Sequence, residues 1–166
     1  DQTGEEVAAA VIVVTSADIE RHGYLTLAEV LQSVAGFYIT DDRMYSFVGV
    51  RGFSRPADDN NRHLLLLNGH PMNENVYGSA YVGNETPLNM DAVERIEIVR
   101  GPFPMYGNYA MFAVVNIVQK KGRSLDGLRV AIDGGSFGTA RGGLAYGKEL
   151  PYNWDLLATI NAGRSD

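Results

Sequence analysis

Residues 94–118 contain a charged strand, then two turns and then an apolar strand, and few folds accommodate that order. Ile96 and Ile98 lie on one face of the first strand, because they alternate with residues that point to the other face. A Gly-Pro turn and a Tyr-Gly turn then mark where the chain must reverse before the second strand at 114–118. The segment therefore predicts a strand, a reversal of the chain and a second strand.

Short helices and strands alternate upstream of this segment. Thr26 and Glu29 have the spacing of a capping box, and apolar residues at helical spacing follow them as far as Gly36, the predicted end of that helix. The predicted elements are a strand at 11–14, a helix at 16–23, a second helix at 26–36, strands at 37–40, 47–50 and 64–67, a loop at 71–87 and a helical turn at 90–93. This interleaving favours a mixed α/β sheet.

Beyond Gly122 the pattern changes to strict alternation, which predicts three strands of about nine to eleven residues. One face of these strands is apolar, and the other carries polar or small residues. This alternation and the length of the strands are typical of transmembrane barrel strands. An antiparallel meander that packs one face on a soluble core would show the same pattern. The apolar face includes Leu128, Val130, Trp154, Leu156 and Ile160.

Composition excludes several classes of function. The net charge of -6 argues against a nucleic-acid partner, which would require a basic surface. The absence of cysteine excludes disulfides and thiolate metal sites. The three histidines lie far apart in sequence, so they predict no metal site, and no nucleophile, phosphate-binding or dinucleotide-binding motif occurs. The sequence therefore predicts neither an enzyme nor a bound cofactor.

Several motifs, read in order, carry a resemblance to a known family. They are Ser16-Ala17-Asp18-Ile19, Leu27-Ala28-Glu29-Val30-Leu31, Val50-Arg51-Gly52-Phe53, Leu65-Leu66-Leu67-Asn68-Gly69, Arg95-Ile96-Glu97, Arg100-Gly101-Pro102, Tyr106-Gly107 and Val115-Asn116-Ile117. In this order they resemble the plug domain of TonB-dependent outer-membrane receptors. The resemblance implies an α/β plug domain with a mixed β-sheet and short helices, followed by antiparallel strands of a truncated transmembrane β-barrel. We expect a flexible lead-in at 1–10, the plug at 11–122 and the first barrel strands at 123–166.

The same resemblance implies a function without a chemical step. A plug of this family blocks the barrel lumen in the outer membrane of a Gram-negative bacterium. It binds a small-molecule ligand, such as an iron-siderophore complex or another metal chelate, until a TonB-type energy-transducing protein pulls it. The chain is thus expected to be the gate of an active transporter for a scarce nutrient.

Charged residues near the strand ends are expected to lock the plug in the barrel. In the family resembled, arginines at the positions of Arg51 and Arg100 pair with glutamates of the barrel, for which the guanidinium fork is well suited. Arg95 and Glu97 are grouped with them as locking candidates. Because they lie two residues apart on one strand face, they are also expected to form a local ion pair.

The loops that follow the Arg-Gly and Asn-Gly strands are expected to form the apex of the plug, which meets ligand from outside. Tyrosines and asparagines suit that role, since they combine rigid contact area with adaptable hydrogen bonds. The ligand-facing candidates are Arg55, Asp59, Asn60, Arg62, Asn73, Asn75, Tyr77 and Tyr81. Residues 58–62 are rich in oxygen atoms, but they lack the spacing of a calcium-binding loop and are expected to form a solvated turn.

Three strands cannot close a barrel, because a plugged outer-membrane transporter needs roughly 22 of them. The chain is therefore either part of a larger receptor or a free-standing soluble plug-like binding module. The apolar face of residues 128–162 distinguishes the two alternatives. It would face lipid in the receptor and a protein core in the soluble module.

Overall fold

The computed structural model describes residues 11–54, 59–86, 88–102, 109–135, 138 and 140–164. The strands are β1 Val11–Thr15, β2 Phe37–Asp41, β3 Ser46–Val50, β4 His63–Leu67, β5 His70–Pro71, β6 Val93–Arg100, β7 Ala113–Gln119, β8 Gly127–Gly134, β9 Ala140–Leu150 and β10 Trp154–Arg164. The helices are α1 Ser16–His22, α2 Leu27–Ser33 and α3 Gly122–Leu125, and 3₁₀ turns occur at Met90–Ala92 and Pro151–Asn153. The predicted lead-in at 1–10 and the Tyr106-Gly107 turn lie outside the described residues.

The main sheet has the strand order β1-β6-β7-β4-β5. β4 runs parallel to β7, whereas β6 runs antiparallel to both of its neighbours, β1 and β7, so the sheet is mixed as predicted. β2 and β3 form a separate antiparallel hairpin. β1 occupies one edge of the main sheet and is joined to it only through β6.

The core lies where α2 packs on the main sheet. Leu27, Val30 and Leu31 are almost completely buried, and they meet Ile96 and Ile98 of β6. Burying each such side chain contributes roughly 1.5–3 kcal/mol. The apolar periodicity of α2 and the alternation of β6 therefore specify two surfaces that fit against each other.

The capping box of Thr26 and Glu29 is confirmed, because each side chain bonds the other residue's backbone N–H. The predicted end of α2 at Gly36 is wrong. The helix ends at Ser33, and Val34 turns extended with its side chain buried in the core. Gly36 instead lies in the turn to β2 with φ 87°, a conformation that favours glycine.

The predicted loop after Leu67 contains a short strand. Asn68 and Gly69, both with positive φ, reverse the chain so that His70 and Pro71 pair with the end of β4. The pairing was not evident from sequence because β5 has only two residues and one of them is proline, which is tolerated at a sheet edge.

The second sheet has the order β10-β9-β8 and is antiparallel throughout, which confirms the three predicted strands. Its apolar side chains point away from the main sheet. Ile132 is 86% exposed and Trp154 is 70% exposed, and the cross-strand row Val130, Leu144 and Ile160 is also exposed. No helix in the described part of the chain is long and apolar enough to cross a membrane.

Candidate functional site

The small and polar face of the three-stranded sheet meets the main sheet at the 3₁₀ turn that precedes β6. Asn161 Nδ2 donates to Asp91 Oδ2 and to Asn89 Oδ1, both at 2.6 Å. Arg141 Nη2 donates to the same Asp91 oxygen at 3.0 Å, and Asn89 Nδ2 donates to Thr159 Oγ1 at 2.9 Å. We call this set of five side chains the polar seat. It joins one turn to two strands through four hydrogen bonds.

A second attachment lies at α3, directly after β7. The backbone N–H groups of Gly122 and Arg123 donate to the Asp155 carboxylate, and Arg123 Nε donates to it at 2.9 Å. A Cβ on Gly147 would stand 2.5 Å from the Gly122 carbonyl oxygen, so this close approach requires glycine. The start of β6 and the end of β7 lie side by side, with Val93 opposite Gln119, so both attachments hold the same end of the β6–β7 pair to β9 and β10.

Lys120 links these two attachments. Its backbone N–H donates to the Ala92 carbonyl at 2.8 Å, and its Nζ donates to the Asp91 carbonyl at 3.1 Å. Lys120, two residues before α3, is therefore bound to the 3₁₀ turn through both its backbone and its side chain.

Among the described residues, one ion pair joins helix α1 to the three-stranded sheet, from Arg129 Nη2 to Glu20 Oε1 at 2.9 Å. The hydrogen bond from Arg129 lowers the pKa of Glu20 below its usual value, so the carboxylate stays charged in mildly acidic solution. Both side chains are nearly half exposed. Ion pairs of this kind contribute little stability.

A cavity of about 460 Å³ lies beside this ion pair, between α1 and the three-stranded sheet. Tyr24 and Leu25 line it on the α1 side, whereas small residues such as Ala131, Gly143 and Ala145 line it on the sheet side. The polar seat borders the cavity, because Asp91, Arg141 and Asn161 also line it.

The structure brings together the two arginines predicted to lock the plug. Arg100 Nη1 donates to the Ala35 carbonyl at 3.0 Å, and the backbone N–H of Arg51 donates to the adjacent Gly36 carbonyl at 2.8 Å. Among the described residues, no carboxylate pairs with either guanidinium. Both arginines therefore contact the turn at Ala35 and Gly36, although Arg100 lies 65 residues from Ala35 along the chain.

The expected local ion pair within β6 is present, since Arg95 Nε lies 2.8 Å from Glu97 Oε1. Asn116 of the neighbouring strand β7 donates to the other carboxylate oxygen at 2.9 Å. These two hydrogen bonds, that from Asn116 first, lower the pKa of Glu97. Glu94 pairs with the same arginine at 3.1 Å.

Two of the predicted ligand-facing asparagines are used inside the protein. The buried Asn60 accepts from Val48 N–H and donates to the carbonyls of Ser46 and Ala80. Asn73 accepts from the Leu65 N–H and donates to the carbonyls of His63 and Gly78. Through these hydrogen bonds, both asparagines hold loops together.

The other candidates lie at the surface of the same end of the main sheet. Asn75 and Tyr77 are exposed, and Tyr81 lies 6.3 Å from the ring of Tyr45. Arg62 stands over the ring of Phe112 at 5.6 Å. Asp59 is exposed, and its carbonyl accepts from the Ala80 N–H at 3.2 Å. Arg55 lies outside the described residues.

Aromatic and methionine side chains that the sequence reasoning did not single out extend this surface. Phe53 is 67% exposed and stacks on Phe112 at 6.3 Å. Tyr109 covers Gly78, where a Cβ would stand 2.1 Å from the ring. Met44 and Met111 are exposed on neighbouring loops.

The family model for the TonB-dependent receptor plug domain matches residues 3–114. The chain belongs to this family. The chain is 29% identical over 140 residues to the vitamin B12 transporter BtuB of Vibrio vulnificus, an alignment that covers 82% of the chain and 22% of the transporter. It is 28% identical over 174 residues to the rhizobactin receptor of Rhizobium meliloti, covering 96% of the chain and 22% of the receptor. The chain thus spans about a fifth of the length of these relatives.

Solved structures share the fold of the plug and of the strands that follow it. The siderophore receptor PiuA from Acinetobacter baumannii superposes with a TM-score of 0.72 at 19% identity, covering 95% of the chain and 21% of the receptor. The alcaligin outer-membrane receptor FauA from Bordetella pertussis gives 0.70 at 20% identity, covering 98% and 27%. The chain is an outer-membrane protein of the Gram-negative type, as its family is.

The contacts between plug and strands were missed by sequence reasoning. Asn89 caps the 3₁₀ turn by accepting from the Asp91 N–H at 3.0 Å, and that capping pattern was the available signal. Arg129 and Arg141 stood out as charged residues on an otherwise small face. Neither signal reveals that the two segments meet, because they are 50 residues apart.

Proposed function

We propose that this chain contributes the gate of an outer-membrane active transporter for a scarce nutrient such as an iron-siderophore complex. The observation that carries the proposal is the seating of the plug on the small and polar face of three strands whose opposite face is apolar and exposed. Such a sheet separates a polar lumen from lipid. The plug then lies in the lumen and obstructs it.

Ligand binds at the apex, on the surface that carries Phe53, Tyr77, Tyr81 and Tyr109. Support comes from the exposure of these rings at one end of the main sheet, beside the exposed Asp59 and Asn75. Relatives named for vitamin B12 and for rhizobactin suggest a cargo that is a metal chelate. Asn60 and Asn73 support this surface from beneath.

Arg51 and Arg100 lock the plug to glutamates of the barrel that lie outside this chain. Support comes from the turn at Ala35 and Gly36, which the Arg100 side chain and the Arg51 backbone both contact, and from the fork of each guanidinium, which suits a carboxylate. Arg95 and Glu97 complete the locking set, and within β6 the two also pair with each other.

A TonB-type partner pulls the chain from its N-terminal side, and β1 is the first strand to detach. β1 has five residues and is an edge strand held only by β6. Its remaining edge has no neighbour in the main sheet as described. The shortest path for force into the plug therefore runs through the β1–β6 ladder.

Uptake tests this function directly. The receptor that carries this chain is expressed in cells without other receptors, and accumulation of labelled cobalamin and of labelled ferric siderophores is measured with and without a protonophore. We expect energy-dependent accumulation of at least one cargo, and loss of it when Arg51 and Arg100 are replaced together by alanine. Equal accumulation with and without the protonophore would contradict active transport.

The alternative of a soluble binding module is favoured by none of the contacts seen. The exposed row Val130, Leu144 and Ile160 packs on no other element of the described chain. Lipid is the environment that such a face requires.

A further inference from the structure

The attachments between the plug and the three strands differ greatly in strength, and their arrangement bears on where a passage opens. The polar seat places four hydrogen bonds around one turn, and α3 adds its own contacts to Asp155. By contrast, within the described part of the chain one ion pair joins α1 to the sheet, between the half-exposed Glu20 and Arg129. An exposed pair is screened by water and salt, whereas a part-buried network is screened less.

The cavity lies on the weak side of this arrangement. It separates α1 from β8 and β9, and the Glu20–Arg129 pair spans it. Its volume of about 460 Å³ falls within the range of ligand pockets, roughly 300–1,000 Å³. The sheet side is lined by the small residues Ala131, Gly143 and Ala145 together with larger ones such as Arg129, Arg141 and Leu157.

The chain connectivity couples this cavity to the N-terminus. α1 begins at Ser16, directly after β1 ends at Thr15. Thr15 caps α1 through a capping box with Asp18, so strand and helix form one continuous segment. Displacement of β1 therefore draws α1 away from the three-stranded sheet.

We infer that the passage past the plug opens at this cavity, through separation of Glu20 from Arg129, while the polar seat at Asn89 and Asp91 holds the β6–β7 pair on the sheet. This inference rests on the proposed function as a gate. Lys120 reinforces the arrangement: it lies 3.5 Å from Glu20 and also bonds the Asp91 carbonyl, so it stays with the seat when α1 leaves.

The test is an ion-current measurement on the whole receptor that carries this chain, in a planar lipid bilayer with potassium chloride as the probe. A bead pulls on an N-terminal peptide tag. Because this chain has no cysteine, Glu20→Cys with Arg129→Cys can be joined by a reducible bismaleimide. The matched control joins Asp91→Cys to Asn161→Cys with the same reagent.

We expect pulling to open a current in the unmodified receptor and in the 91–161 cross-linked control. The 20–129 cross-link should abolish that current, and its reduction should restore it. The inference is overturned if pulling opens no current, if the current persists with the 20–129 cross-link, or if the 91–161 cross-link abolishes it equally.

A second pair of variants avoids cross-linking. Ala145→Trp fills the cavity from the sheet, whereas Ala158→Trp places the same ring on the outward face of β10, beside Tyr146. We expect the pulled current to fall at least tenfold in the first variant and to remain unchanged in the second, at equal receptor insertion. Equal currents in the two variants would place the passage elsewhere.

The measurement is independent of cargo and of the TonB-type partner. A receptor that accumulates cargo normally but fails these current tests rejects only the position of the passage. A receptor that accumulates no cargo rejects the proposed function, whatever current it carries.

Discussion

At the scale of single residues, polar side chains do more to hold this plug together than their surface-like residue types suggest. Asn60, Asn73 and Asn89 each bond two or more groups that lie far along the chain or on another strand. An amide can donate and accept at once, so a single asparagine joins two loops. Asparagines of this kind therefore hold the fold together, as the apolar core does.

Replacing Asn60 by alanine should destabilise the plug by roughly 2–3 kcal/mol, because the buried Val48 N–H and two carbonyls would lose their partner. The measurement is urea unfolding of the purified chain in detergent, followed by circular dichroism. Asn75→Ala, at an exposed position, serves as the control and should change stability by less than about 0.5 kcal/mol. Similar effects of the two substitutions would contradict a structural role for Asn60.

The stability of the β6–β7 pair should depend on the ionisation of Glu97. Its pKa is lowered by the hydrogen bonds from Asn116 and Arg95, so the folded state favours the charged form. The resulting stabilisation is complete above the unfolded-state pKa of about 4.3 and is lost as the pH falls through the lower folded-state value. Asn116→Ala should raise the pKa of Glu97 toward its ordinary value, as measured by carboxyl carbon chemical shifts. An unchanged pKa would mean that Asn116 contributes nothing to it.

At the scale of elements, glycines decide how closely α3 approaches β9. A Cβ on Gly147 would meet the Gly122 carbonyl and the Leu125 side chain, whereas a Cβ on Gly142 would meet nothing within 4 Å. Gly147→Ala should therefore destabilise the chain by about 1–3 kcal/mol through overpacking. Gly142→Ala, in the same strand, should be neutral or slightly stabilising. Denaturant unfolding of the two variants side by side distinguishes these outcomes, and equal stability would rule out a packing constraint at Gly147.

The edge position of β1 predicts how the plug responds to force. Val11 lies opposite Val99 in the β1–β6 ladder. The Cα atoms of such directly opposite residues are separated by a distance that a disulfide can bridge. Val11→Cys with Val99→Cys, once oxidised, should abolish energised uptake by the receptor and leave ligand binding at the cell surface unchanged. Reduction should restore uptake. Unchanged transport by the oxidised variant would show that β1 stays in place during the cycle.

At the scale of the whole molecule, the two sheets require different surroundings for their apolar faces. The main sheet buries an apolar core beneath α2, whereas the three-stranded sheet turns its apolar side outward and its polar side toward the plug. This arrangement is the inverse of a soluble sandwich, in which the apolar faces meet. It is consistent with lipid on one side and a polar lumen on the other.

The purified chain should accordingly aggregate in buffer and become monodisperse in detergent micelles. The exposed apolar face of β8, β9 and β10 is large enough to drive association in water. Size-exclusion chromatography with light scattering measures both states. A stable monomer without detergent would instead support the soluble binding module.

The local elements and the family were determined by the sequence itself. Alternation in residues 128–162, the capping box of Thr26 and Glu29 and the apolar spacing of α2 each report on interactions within a few residues. Such patterns are readable because periodicity reflects which face is buried. The end of α2 was misplaced because the burial of Val34, a tertiary contact, stopped the helix before Gly36.

Only the tertiary structure decided which polar residues meet. Asp91 and Arg141, Asn60 and Val48, and Glu20 and Arg129 are partners across chain separations that no local pattern encodes. The same limit applies to Asn60 and Asn73, because their residue type did not reveal that their side chains bind the backbone of other loops and strands. A polar residue type indicates that hydrogen bonds must be made, but the fold alone determines with which groups.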